Sequence, residues 1–510
     1  MRKLMNLFAA LLITIAAVSC NKNDILPDNN NTDEDIITLS ATISNNATKT
    51  VLGEKTDNQY PVLWSRDDEI AVIQDSKIYK FVLYEGHGTN SGMFKLAEEE
   101  SEGFDATKEL KAFYPYSGVS LSSEKITYVV PTSQQYMENS FAIGASPMAA
   151  VADNAQDGLH FINLFGAVKI QMKGAEGETI SKLVIGSNNI LAGMATLSDG
   201  PSITMPTDDA ASNITLNFAT PIDISQTVEF LVPIPEGNHI LAFVATTNNG
   251  AYYKRTTSRK TVTSGNIIKM PLIDLGAENS KTREEMSIVY PEDNKNGIFI
   301  GRNVWANVNC GYDPTNYQWG KLYQWGRKDG CGYNDGSTYQ ENIIQTFQDG
   351  QFNWDGTGIC APDKYIFYRS ASNTYHWITG DGANNNAMWN AGDNLNPQKT
   401  AYDPCPEGWR IPSSDELLML RKNLSPMVEV NSQKGRWCSG TVAYEEQMSS
   451  MVFLSMAGRR YNNVDGFTDR NIQGTYWSSQ YNGSFYFDAG TWGYYNASRS
   501  QGLSVRCVKE

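Results

Sequence analysis

The chain has 510 residues and a formal net charge of −15 at pH 7. That is too long for one ordinary core, so about two to four domains are expected. It is too acidic for a nucleic-acid partner, which would require clustered Lys and Arg. Gly, Asn, Ser, Thr and Tyr are plentiful and long amphipathic helices are scarce, the composition of a secreted β-rich protein. In chain order, Arg2 and Lys3 open a targeting segment, residues 1–20, whose apolar run from Leu4 to Val18 is short for a bilayer span. It ends in small residues and a cysteine, Ala17-Val18-Ser19-Cys20, and no other apolar run is long enough to cross a membrane.

That ending resembles the bacterial lipobox. The resemblance implies cleavage before Cys20, lipidation of its thiol and new amine, and membrane attachment through the lipid anchor. A plain signal peptide and an N-terminal anchor helix are the alternatives. Residues 21–35 are polar, acidic and aperiodic, as in a flexible tether.

From Ile36 to Leu275 the pattern is short strands and turns. Ile37, Leu39, Ala41 and Ile43 alternate, as do Val168, Ile170 and Met172. The polar pair Asp75-Ser76 separates two apolar runs and predicts a hairpin. The polar stretch Ala152 to Gly158 is the expected boundary between two β-sandwich units, 36–153 and 154–275. Acidic pairs such as Asp67-Asp68 fall in turns and are expected to face solvent.

Several phrases follow one another in this region. They are Ile37-Thr38-Leu39-Ser40-Ala41, Trp64 with Asp67-Asp68-Glu69-Ile70, Ala112-Phe113-Tyr114-Pro115-Tyr116, and Val130-Pro131 with Gln134. Leu159-His160-Phe161-Ile162-Asn163-Leu164, Phe230-Leu231-Val232-Pro233 and Met270-Pro271-Leu272 follow in order. In this order they resemble the fimbrillin-like surface proteins of Bacteroidetes, and the resemblance implies two tandem transthyretin-like β-sandwiches made as lipoprotein precursors. In polymerising members a protease removes the first strand after a basic residue, and a neighbouring subunit supplies a replacement strand. The replacement strand lies near that subunit's own C-terminus. An open sheet edge accepts a strand because its backbone groups are unpaired. Lys49, in Asn46-Ala47-Thr48-Lys49-Thr50, is the matching processing position, although members often carry arginine there. An ordinary surface lysine is the alternative. The partners implied are other fimbrial subunits.

Residues 276–296 are polar and charged, with Pro291 among them, and read as a linker. Composition then shifts: ten of the eleven tryptophans and six of the seven cysteines lie beyond residue 300. Cys310, Cys331, Cys360, Cys405, Cys438 and Cys507 form an even set whose connectivity the sequence leaves open. One pairing is expected, Cys405 with Cys507. It would tie a turn to the last strand and close a loop of about 100 residues, worth about 4–5 kcal/mol in the chain-entropy model. Buried free thiols are the alternative. The stretch Asp403 to Leu424 predicts a tight turn, a buried Trp409-Arg410-Ile411 step and a helix capped by Ser413 and Glu416. Leu417, Leu420 and Leu424 supply its apolar stripe.

A further set of phrases runs through residues 297–510. The phrases are Trp305 with Asn309-Cys310-Gly311-Tyr312, Leu322-Tyr323-Gln324-Trp325-Gly326-Arg327, and Asp403-Pro404-Cys405-Pro406-Glu407-Gly408-Trp409-Arg410-Ile411-Pro412. Ala457-Gly458-Arg459-Arg460-Tyr461, Gly474-Thr475-Tyr476-Trp477-Ser478-Ser479 and Ser504-Val505-Arg506-Cys507-Val508-Lys509 complete them. Together they resemble the FISUMP family, the Fibrobacter succinogenes major paralogous domain, and the resemblance implies an α+β C-type-lectin-like domain, so the whole chain is expected to be mainly β.

The sequence carries no recognisable chemistry. Glu-Pro-Asn and Gln-Pro-Asp sugar motifs are absent, and Trp389-Asn390-Ala391 lacks the carboxylate of a calcium site. No Cys-x-x-Cys zinc pair, nucleophile elbow or phosphate loop occurs, and the four histidines are scattered. No catalytic residue, metal or cofactor is therefore expected. Trp319, Tyr323, Trp325, Trp492, Tyr494 and Tyr495 sit among Gly, Asn and Gln; they either fill a loop-rich core or present faces to a glycan or protein ligand. The combined expectation is a non-enzymatic lipoprotein of the cell outer membrane, a fimbrial accessory or tip subunit acting in adhesion. A non-polymerising glycan-binding surface lipoprotein is the alternative.

Overall fold

Seven strands close into a barrel around Trp64. The order is Thr38–Ile43, Leu159–Asn163, Met148–Ala152, Leu110–Tyr114, Glu69–Gln74, Lys77–Glu85 and Ser91–Leu96, which returns to Thr38–Ile43. This computed structural model describes residues 37–510 apart from 45–50, 53–61, 98–102, 123–124, 199, 207–211, 277–279, 289–296, 333–343, 348–366, 371–374, 379–385, 422–423, 439–450, 462–466 and 481–482. Cys20, the tether 21–35, Lys49 and Cys360 lie outside the described residues. The Asp75-Ser76 hairpin forms as expected: Gln74 faces Lys77, and both turn residues have positive φ, 48° and 61°. Two central residues of that conformation match the twist of the flanking strands.

The stretch 152–158 is not a boundary. Asn154 Oδ1 accepts from the N–H groups of Gln156 and Asp157 and caps a short 3-10 turn, Ala155–Asp157. The chain then re-enters the same barrel as Leu159–Asn163, whose buried side, Leu159, Phe161 and Asn163, faces in. Conversely, strands inside the expected first unit pair with later ones. Lys125–Val130 pairs with Gly193–Leu197, and Ser133–Gln135 runs parallel to Asn213–Asp223. Ile73 and Phe113 of the barrel therefore share one apolar core with Ile126, Val168, Leu183 and Phe230.

Beyond the barrel, a five-stranded sheet runs in the order Ser133–Gln135, Asn213–Asp223, Thr179–Ser187, Leu241–Thr247, Gly250–Arg255. A second sheet is centred on Phe165–Lys173, between Val228–Pro235 and Ile267–Lys269. Val168, Ile170 and Met172 of the second sheet meet Ile180, Leu183 and Ile185 of the first in the shared core. The expected linker contains a helix, Ser280–Met286, docked on this part. Its Met286 enters the core, and its Arg283 donates to both carboxylate oxygens of buried Glu178 at 3.1 and 2.8 Å.

Two sheets organise the C-terminal part. One runs Ile298–Ile300, Asn303–Trp305, Val508–Lys509, Trp409–Arg410; the other includes Lys321–Gln324, Gly502–Ser504, Gly474–Trp477, Gly483–Phe487 and Trp492–Asn496. Trp325, Trp389 and Trp477 pack ring against ring, with centroids 4.6–5.9 Å apart. The capped helix spans Ser414–Arg421, with Leu417 and Leu420 buried. Leu424 lies beyond it and bridges to Cys438 instead. The chain from Thr38 to Glu510 is one compact unit. Its middle and C-terminal parts meet backbone to backbone: a Cβ on Gly186 would lie 1.8 Å from the Gly301 carbonyl oxygen. Tyr253 adds a hydrogen bond to the Arg302 carbonyl at 2.9 Å.

Candidate functional site

The seat of the first described strand is the most distinctive feature. Thr38–Ile43 lies between two strands of opposite sense, antiparallel to Ser91–Leu96 over five residue pairs and parallel to Leu159–Asn163 over three. Leu39, Ala41 and Ile43 turn inward and are fully buried, while Ser40 between them is exposed. Period-two alternation produces this: one face of the strand fills the barrel and the other meets water. Beneath it, the Trp64 indole meets Phe94, Tyr114 and Phe161 edge to face, with centroids 4.9, 5.8 and 5.6 Å away. Phe94 and Phe161 belong to the two flanking strands, so the aromatic cluster fixes the width of the slot.

Two neighbours of the slot were not legible as such. Gly92 faces Ala41, and a Cβ there would lie 2.6 Å from Leu83 Cδ1 and 2.9 Å from Trp64 Cδ1. A glycine beside a strand-like run was the available signal. Asp68, expected to face solvent, is buried: its carboxylate accepts the Ser65 N–H at 2.6 Å and the Tyr114 hydroxyl at 3.0 Å. It holds the turn that delivers Trp64 to the core.

In the C-terminal part, Cys405 and Cys507 form a disulfide with Cα atoms 5.9 Å apart. Cys310 Sγ lies within 4.8 Å of both bridged sulfurs, and Cys331 and Cys438 are buried. Burial pushes the Cys438 thiol well up, so it stays protonated and unreactive. The six candidate aromatics do not converge on one surface. Trp319, Tyr323 and Trp325 are 5%, 3% and 0% exposed and offer no open face. Trp492 is 41% exposed on the outer strand Trp492–Asn496. Tyr494 beside it is half-buried, with its hydroxyl donating to the Ser414 carbonyl at 2.6 Å, and Tyr495 sits against the Arg459 guanidinium.

The hinge stretch has a structural task. The Ser413 N–H donates to Glu416 Oε2 at 2.8 Å, and the Glu416 N–H donates to Ser413 Oγ at 3.3 Å, closing the capping box. Glu416 is fully buried and also accepts two bonds from Arg410, at 2.7 and 2.6 Å, and one from Asn303 at 2.9 Å. Arg255 of the middle part reaches it at 3.3 Å. Burial alone would raise its pKa. The Arg410 guanidinium, with Arg302 and Arg255, outweighs that and holds the carboxyl well below the usual carboxylate range. The arrangement is a buried ionic rivet between two parts of the fold.

No protein-family model and no curated protein matches the chain. Solved structures do. A protein of Bacteroides ovatus assigned to cell adhesion shares 13% identity, with 46% of this chain and 92% of that one covered and a TM-score of 0.32. A fimbrial protein from the same species matches over 93% of this chain and all of its own, at 12% identity and a TM-score of 0.23. The tip fimbrial protein Mfa3 of Porphyromonas gingivalis, truncated at its C-terminus, matches over 43% of this chain and 80% of its own, at 12% identity and a TM-score of 0.23. At these values none of the three assigns a function to this chain.

Proposed function

We propose that the protein is a non-enzymatic adhesion subunit of the bacterial surface, anchored through a lipid on Cys20 and able to exchange its first strand for one from another fimbrial subunit. The observation that carries this reading is the slot of Thr38–Ile43. The strand closes a barrel whose flanking strands are each also paired on their other side. Cleavage after Lys49 would separate the strand from the body and expose two unsatisfied backbone edges above an apolar trench. A strand with apolar residues at alternate positions would refill it.

In this reading the two β-rich parts up to Leu275 are fimbrillin-like and transthyretin-like. Residues 297–510 are a FISUMP domain of C-type-lectin-like fold, displayed away from the membrane. The 235 residues from 276 to 510 follow the region where fimbrillin polymers carry their donor strand. That arrangement suits a tip or accessory subunit better than a repeating shaft. The test is limited trypsin digestion of the full chain, mass spectrometry of the new N-terminus, and addition of an isotope-labelled peptide of residues 36–49. Thr50 as the new start, with labelled peptide captured by the cut chain, is the expected result, and Lys49→Ala should abolish both. Cleavage at other lysines with Lys49 left intact, or a cut chain that captures no peptide, would refute the reading.

A further inference from the structure

Away from the strand slot, the C-terminal part contains a cavity of about 520 Å³, within the range of roughly 300–1,000 Å³ typical of small-ligand pockets. It lies between the loop Asn307 to Trp319 and the hairpin of Val428–Val430 with Gln433–Cys438. Its floor is rigid. Arg506, 2% exposed, donates from Nε and Nη2 to Asn309 Oδ1 at 2.9 and 2.7 Å, from Nη1 to the Ala306 carbonyl at 2.9 Å, and from Nη2 to the Phe453 carbonyl at 2.8 Å. Asn309 in turn donates to the Trp319 carbonyl at 2.9 Å and Ser455 Oγ at 3.2 Å. The network fixes every member in place before any ligand arrives.

The walls differ from those of a cofactor or peptide pocket. Five carboxamides line the space, Asn307, Asn309, Gln318, Asn431 and Gln433. Asn309 is taken up by the floor network. Gln318 Nε2 donates to the Pro314 carbonyl at 3.0 Å and Gln433 Nε2 to the Gln318 carbonyl at 2.9 Å, which leaves the Gln433 Oε1 acceptor. The half-buried Phe453 adds an apolar face. Among the described residues no carboxylate lines it, and its one charged side chain, Arg506, is bonded to oxygens of the protein itself. Asn307 Oδ1 is buried and has no hydrogen-bond partner among the described residues. Carboxamides offer a donor and an acceptor side by side, and a sugar hydroxyl is also both. The Phe453 ring adds an apolar surface for the C–H face of a sugar ring.

We infer that this cavity is a binding site for a neutral saccharide, a mono- or disaccharide unit, with Asn307 Oδ1 accepting a ligand hydroxyl and Gln433 contacting a second one. It stands independently of strand exchange, because it lies in a different part of the chain from the slot of Thr38–Ile43.

The test is an array of neutral and acidic glycans probed with the full chain, then titration calorimetry with the free sugar of the best hit. Binding to a neutral glycan is expected, with affinity reduced at least tenfold by Asn307→Ala and by Gln433→Leu, while thermal melting of both variants stays at the wild-type value. Lys49→Ala should bind as wild type, so failure of strand exchange and failure of this site are read separately. Trp492→Ala, on the exposed outer strand, should also bind as wild type. No glycan binding, binding confined to acidic glycans, or binding lost in Trp492→Ala but kept in the cavity variants would each overturn the assignment.

Discussion

Glu416→Gln tests whether the two parts of the fold are riveted at one buried charge. The substitution keeps the size of the side chain and one acceptor oxygen but removes the negative charge. Arg302 and Arg410 have side chains 0% and 2% accessible, so their positive charge would then be uncompensated in the interior. Breaking a buried pair from one side costs about 3–5 kcal/mol, a loss of roughly a hundredfold or more in the folding equilibrium at about 1.4 kcal/mol per decade. Arg255 is at the edge of the cluster, with its side chain 12% accessible and 3.3 Å away, so Arg255→Ala should cost less, about 1–2 kcal/mol. Denaturant unfolding followed by tryptophan fluorescence is the assay. Ten of the eleven tryptophans lie beyond residue 300, so the signal reports the part that Glu416 anchors. A double variant, Glu416→Leu with Arg410→Leu, should recover part of the loss, because it removes the uncompensated charge along with its partner. A Glu416→Gln change within about 0.5 kcal/mol of wild type, the scatter of neutral surface substitutions, would refute the reasoning, and so would an Arg255→Ala cost equal to it. The pH dependence has a definite sign. The folded carboxyl titrates well below its ordinary 4.5, so its stabilisation is complete above that value and is lost only as the pH falls through the lower folded pKa.

Removing the disulfide with Cys405→Ala and Cys507→Ala should cost about 4–5 kcal/mol by the loop-entropy relation for a closed loop of about 100 residues, measured by the same denaturant titration without reductant. Asp403 behaves oppositely to Glu416. Burial pushes it up to about 6, against Lys399 and the N–H groups of Ile411 and Cys405. Its contribution to stability is thus complete below its ordinary 3.8 and is lost as the pH rises through 6, which a carboxyl-carbon NMR titration would detect. Gly92→Ala should destabilise the barrel by about 1–3 kcal/mol through overpacking against Leu83 and Trp64, read from hydrogen exchange of the first strand.

What the sequence made legible is local. The Asp75-Ser76 hairpin, the Ser413–Glu416 cap and the alternation of Leu39, Ala41 and Ile43 each depend on residues within a few positions of one another. Their geometry follows from turn conformation, capping and strand pleat. Closure of the barrel and the long-range pairing of a neighbouring sheet were not legible, because pairing of Ala41 with Leu159 or of Val130 with Gly193 leaves no mark on either segment alone. The polar stretch at 152–158 suggested a break for the same reason: a capped surface turn inside one barrel has the composition of a linker. Trp319 was ambiguous among its Gly and Gln neighbours, and the structure covers its ring with the guanidinium of Arg470 at 4.9 Å, a residue 151 positions away in sequence. The three arginines around Glu416 come from positions 255, 302 and 410, so only the capping partner Ser413 could be read beforehand.

The same accounting separates the first described strand from the last. Val508–Lys509 pairs with Asn303–Trp305 and Trp409–Arg410, as Thr38–Ile43 pairs with its two neighbours, so both fill slots between existing strands. The last is fastened covalently, because Cys507, immediately before it, is bonded to Cys405. The first has no such bond among the described residues and is held by backbone pairing and three inward side chains. Ser91–Leu96 and Leu159–Asn163 would each keep one paired neighbour after its loss, so the barrel would open without dissolving. Under non-reducing conditions and rising denaturant, a chain cut after Lys49 should therefore release the peptide of residues 36–49 before its tryptophan fluorescence changes. Release that coincides with the fluorescence transition would mean that the strand is part of the cooperative core, and the slot could not serve for exchange.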